Sequence, residues 1–92
     1  MLVLPKNDLA KQEILKKIAN RFSFDKKYSE EEVNELIKSF DVDDFILFRR
    51  ELINFGYLQR NSYEGKYWLK KKELSKKELD QINRNQREIK KL

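Results

Sequence analysis

Apolar residues recur along the first two thirds of the chain at helical spacing, then switch to short aromatic runs. Ile14, Leu15, Ile18 and Phe22 fall on one face, with Lys11, Gln12, Lys16 and Lys17 on the other, which predicts a first helix over 8–22. Asn7 or Asp8 stands where an N-cap accepts orphan backbone N–H groups. Pro5 closes the apolar lead Met1–Pro5 and biases Leu4 toward an extended conformation. Residues 23–27 read as a polar connector carrying one aromatic expected to be buried, Phe24. Ser29 and Glu32 then have capping-box spacing, and the acidic run Glu30–Glu32 suits the positive end of a helix dipole. Val33, Leu36, Ile37 and Phe40 repeat at i, i+3, i+4 and i+7, so a second helix is expected over 30–39.

Asp41-Val42-Asp43-Asp44 is a short turn with a further N-cap, expected from Asp43 and Asp44. A third helix follows over 45–55, and Gly56 supplies the left-handed residue that ends it. Phe45, Phe48, Leu52 and Phe55 cluster on one side of it, with Leu47, Arg50 and Asn54 roughly opposite and Arg49 at the edge. Beyond Gly56, residues 57–61 and 66–70 are β-prone and are separated by Ser62-Tyr63-Glu64-Gly65, a hairpin with Gly65 at positive φ. Ser75 and Glu78 repeat the capping-box spacing and open a last helix running to about Leu92.

Three helices followed by a hairpin, with a short turn between the second and third, match the plan of a winged helix-turn-helix. The expected fold is therefore mainly α with a small β-hairpin: a winged-helix domain over 1–70 and a basic helical extension over 71–92. Residues 3–70 resemble the bacterial domain of unknown function 2087 family. Leu4-Pro5-Lys6, Tyr28–Asn34, Asp43-Asp44, Arg49–Arg60 and Gly65–Trp68 carry that likeness in order. The resemblance implies a winged-helix-like domain, occurring alone or fused behind helix-turn-helix regulators, with no established activity. Phe45 stands where the family more often has a polar residue or histidine.

Composition narrows the chemistry. The 92 residues include no Cys and no His, so a zinc site, thiol nucleophile, disulfide, haem ligation or imidazole base is excluded. An enzyme is not expected, nor a metal or other cofactor. No apolar run approaches a membrane span, Met1–Pro5 is too short for a signal peptide, and the lack of cysteine fits a cytoplasmic protein. The net charge of +5 is uneven. Residues 1–69 hold twelve Lys/Arg against twelve Asp/Glu, whereas 70–92 hold nine against four. The body is neutral and the tail is basic.

What remains is a binding module, with double-stranded DNA as the expected partner. Arg50 and Asn54 fall on the outer face of the third helix, where Arg can bridge guanine and Asn can read adenine. Arg60, Tyr63 and Lys66 on the hairpin, with Lys70, Lys71 and Lys72 after it, complete the expected footprint. Arg49 reads instead as structural, pairing an acid of the second helix such as Glu32 or Glu35. Glu30, Glu31, Glu32 and Glu35 read as a solvated helix start, and Tyr57, Tyr67 and Trp68 as wall and core of the hairpin. Asp43 and Asp44 would weaken attraction to phosphate, which keeps open the alternative of a winged helix that binds a protein and not DNA. In the tail, Leu79, Ile82, Gln86 and Ile89 form a heptad stripe. Such a stripe suits a homodimer seam, although it can also fold back on its own domain or fray.

Overall fold

The helix starts are fixed by side chains that accept backbone N–H groups. The computed structural model describes the backbone of residues 1–91 and the side chains of residues 1–85. Asn7 Oδ1 accepts from Ala10 N at 3.0 Å and opens α1, Asp8–Ala19. This helix ends three residues earlier than its apolar spacing predicts. Arg21 and Phe22 N–H bond to Ile18 and Ala19 carbonyls in a tight turn, which still leaves Phe22 buried.

The connector that follows is not where the sequence places its aromatic. Phe24 is 55% exposed, and Tyr28 takes the buried position, packed edge-on to Phe22 with ring centroids 5.0 Å apart. Tyr28 lies at the centre of β1, Lys27–Ser29, a strand too short to show a period. Ser29 ends β1 and immediately caps α2, Glu30–Lys38, with the reciprocal Ser29–Glu32 bonds both made.

The chain then turns through Asp41, at φ 54°, into α3, Phe45–Asn54. Leu2 clamps this turn, its N–H donating to Asp41 O and its carbonyl accepting from Asp43 N. Asp44 alone supplies the cap of α3, through Leu47 N at 3.1 Å. At the other end Gly56, at φ 82°, allows Tyr57 N to reach Leu52 O and Gly56 N to reach Ile53 O. That pair of bonds is a Schellman closure.

β2, Leu58–Asn61, and β3, Lys66–Leu69, form the expected hairpin. Its loop is held by Asn61 Oδ1, which accepts from Tyr63 and Glu64 N–H, and by Gly65 at φ 67°. The hairpin is not alone. β1 pairs antiparallel with β3, giving a three-stranded antiparallel sheet in the order β1-β3-β2. Tyr28, Tyr67, Leu58 and Leu69 point inward onto the helices, where Leu15, Ile18, Val33, Ile37, Phe48 and Leu52 are fully buried.

α4, Lys76–Lys91, opens on the Ser75–Glu78 capping box. Its approach is not detached from the body. Leu74 is part of the core, Leu79 and Ile82 pack half-buried against it, and Lys16 pairs with Glu73 at 3.0 Å. The protein is thus four helices with a three-stranded antiparallel sheet.

Candidate functional site

α3 sorts its residues by face. Phe48, Glu51 and Leu52 are buried, whereas Asp43, Asp44, Ile46, Arg50 and Asn54 are exposed. Arg49 lies between, its side chain 19% exposed. Its partners are on α2 as expected, but they are not Glu32 or Glu35. Nη1 donates to Asn34 Oδ1 at 2.6 Å and Nη2 faces Glu30 Oε1 at 3.5 Å. Residues 30 and 34 are four apart and share one face, while Glu32 is taken by the capping box and by Lys26 at 3.3 Å. Glu30 Oε1 also accepts from the Tyr67 hydroxyl at 3.1 Å, and the Arg60 guanidinium sits 5.7 Å from the Tyr67 ring. Burial, helped by the Glu30 bond, holds the Tyr67 phenol above its ordinary pKa against the opposing pull of Arg49 and Arg60. One cluster therefore ties α3 to α2 and to the base of the hairpin.

A second cluster ties α3 to α1, and the sequence offers no local signal for it. Glu51 is 9% exposed and accepts from Lys11 Nζ at 3.0 Å and Asn54 Nδ2 at 2.9 Å. Lys11 also reaches Asp8 Oδ1 at 2.8 Å. Burial works against the Lys11 charge, but the bonds to Asp8 and Glu51 outweigh it and raise its pKa. Beside them Gln12 Oε1 accepts from the Tyr57 hydroxyl at 2.8 Å in the interior. Burial pushes that phenol up to about 12. Lys11 and Glu51 are forty residues apart, so only the fold reveals that Glu51 is neutralised and not solvated. Asn54 is exposed as expected, with its amide nitrogen committed to Glu51.

The hairpin presents its expected residues outward. Tyr63 is 99% exposed at the tip, and Arg60 and Lys66 on the flanking strands are exposed. Glu64 faces Lys27 at 3.7 Å. The lysines after β3 do not act as one run. Lys70 is exposed, but Lys71 bonds to Glu78 and packs over Gly56, and Lys72 Nζ lies 5.5 Å from the centre of the Phe24 ring. The Lys71 bond and the Ser75 N–H together hold Glu78 below the usual carboxylate range.

In the tail, Leu79 and Ile82 lie against the body of their own chain. Gln86 and Ile89, which complete the stripe read as a dimer seam, lie outside the residues whose side chains are described. Among the described residues no group of three or more acidic side chains is arranged to hold a metal ion. Among the described residues no helix is long and apolar enough to cross a membrane.

A family model for an uncharacterized protein conserved in bacteria, domain of unknown function 2087, matches residues 1–69. No curated protein and no solved structure matches the chain.

Proposed function

The chain belongs to that family of uncharacterised bacterial proteins, and from this premise we propose that it is a non-enzymatic winged-helix module that binds double-stranded DNA. The element order α1-β1-α2-α3-β2-β3, with strands side by side as β1-β3-β2, supports a winged helix in which α2 and α3 form the helix-turn-helix and β2–β3 the wing. The observation that carries the reading is Arg50. It stands exposed midway along α3, without a charged partner among the described residues, in a protein whose neighbouring Arg49 is held by α2.

In this arrangement Arg50 meets base edges or phosphate in the major groove, and Arg60, Lys66 and Tyr63 grip the backbone beside it. Asp43, Asp44 and Glu64 oppose the phosphates, so affinity is modest and strongly dependent on salt. Fluorescence anisotropy with a labelled duplex at about 50 and 200 mM salt tests this directly. Binding at low salt that Arg50→Ala weakens, with the fold intact, supports the reading. Absence of binding by the folded protein at the lower salt sinks it.

Ile46 favours a second reading. It is 48% exposed at the start of α3, beside Asp43 and Asp44, a surface suited to a protein partner as well as to a groove. A specific partner that co-purifies after nuclease treatment, and is lost on Ile46→Asp, would favour that reading over DNA.

A further inference from the structure

A sheet with one face on the core leaves the other free, and here that face carries aromatic and basic residues together. The register sets Lys27, Trp68 and Gln59 side by side, with Ser29, Lys66 and Asn61 as the next row. Their neighbours Tyr28, Tyr67, Leu58 and Leu69 are buried, so these two rows form the outward face. The connector between α1 and β1 crosses beside it. Phe24, Lys27, Asn61 and Trp68 line a shared cleft of about 360 Å³, together with Asp25 and Lys26.

Four features set this cleft apart from ordinary surface. Phe24 is 55% exposed although the core nearby is completed by Phe22 and Tyr28 without it. Lys72, with no carboxylate partner among the described residues, places its ammonium 5.5 Å from the Phe24 ring centre. A second cation, Lys27, is only loosely paired with Glu64 at 3.7 Å, both side chains being at least half exposed. Asn61 uses its carbonyl oxygen to hold the hairpin loop, which leaves its amide hydrogens as donors.

We propose that the outward sheet face binds single-stranded nucleic acid, with bases stacking on Phe24 and Trp68 and phosphates held by Lys27 and Lys72. Flat apolar rings flanked by ammonium groups suit a ligand that is planar and apolar on its faces and anionic at its edges. A nucleobase with its phosphate has that chemistry, and base–aromatic stacking is tolerant of sequence. A strand fits better than a free nucleotide because two aromatics share the cleft and two cations, Lys27 and Lys72, stand at it. Bases inside a duplex are stacked on each other and cannot enter, so the site is separate from the α3 face and does not rest on the reading of that face.

Trp68 is the only tryptophan, so its fluorescence reports on this cleft alone. The full-length protein is titrated with a thymidine oligonucleotide of about eight residues at about 50 mM salt. Saturable quenching is expected, with affinity weakened about fivefold or more by Phe24→Ala and reduced in salt dependence by Lys72→Gln. Circular dichroism confirms the fold of each variant, and neither exposed Phe24 nor half-buried Lys72 belongs to the core. Arg50→Ala leaves the quenching unchanged, so failure here is distinguishable from failure of the duplex reading. No quenching, equal quenching of wild type and Phe24→Ala, or equal quenching by a blunt duplex overturns the proposal. Quenching by thymidine monophosphate as strong as by the oligonucleotide overturns the strand in favour of a free nucleotide.

Discussion

Replacing Glu51 by alanine removes the one carboxylate that joins α1 to α3 from within. Three losses add. Asn54 Nδ2 loses an acceptor at 2.9 Å, worth about 1 kcal/mol. The Lys11–Glu51 pair, with side chains 17% and 11% exposed, lies between an exposed pair and a fully buried one. Its loss costs about 1–2 kcal/mol, short of the full cost of breaking a buried pair, because Lys11 keeps Asp8 at 2.8 Å. The removed methylene adds about 1 kcal/mol of lost burial. The expected destabilisation is therefore about 3 kcal/mol, which in a domain of this size lowers Tm by about 12–24 °C. Glu51→Gln keeps volume and an acceptor, and is expected to cost about half as much. Thermal and urea melts followed by circular dichroism measure both, and a double-mutant cycle with Lys11→Met isolates the pair. If Glu51→Ala melts within about 0.5 kcal/mol of wild type, Glu51 is not the internal tie described here.

Arg49→Ala is expected to cost about 1–3 kcal/mol, because a charge-assisted bond to Asn34 is lost, whereas Arg50→Ala should stay within about 0.5 kcal/mol and lower duplex affinity; like behaviour in melts and titrations would mean the faces of α3 are misplaced. Truncation after Lys72 removes buried Leu74 and half-buried Leu79 and Ile82, so it should destabilise by about 2–4 kcal/mol; a melt within about 0.5 kcal/mol of the full-length chain would contradict the packing of α4. Stability should also fall in alkali. Tyr57 is raised from 10.0 to about 12 and Lys11 is raised as well. A raised folded-state pKa contributes stability that is complete below the unfolded value and is lost as pH climbs through the folded one. The Tm should therefore drop between about pH 10 and 12, and less so in Tyr57→Phe; a Tm constant over that window would show that Tyr57 titrates as an exposed phenol.

Much of this architecture was legible because it is written locally. Ser29–Glu32 and Ser75–Glu78 are caps within one turn, and Gly56 and Gly65 mark positions where only a positive φ closes the chain. What escaped is written at long range. β1 spans three residues and exists because β3 pairs with it nearly forty positions later. The same pairing buries Tyr28 and turns Phe24 out, reversing the expectation for the connector. Arg49 pairs with α2 as expected, but which acid it meets depends on α2's rotation, and capping withdraws Glu32. Glu51, for which the sequence gives no local sign of burial, is buried where Lys11 reaches it from α1. The three lysines after β3 look alike in sequence, yet Glu78 and Phe24 each engage one of them.

Chemical-shift mapping of the full-length, isotope-labelled protein with a short duplex at about 50 mM salt tests the central claim most directly. The account expects the largest perturbations at Arg50 and Asn54 on α3 and at Arg60, Tyr63 and Lys66 on the hairpin, fading together as salt is raised. Perturbations confined to the lysines of α4, or none at all, would contradict it.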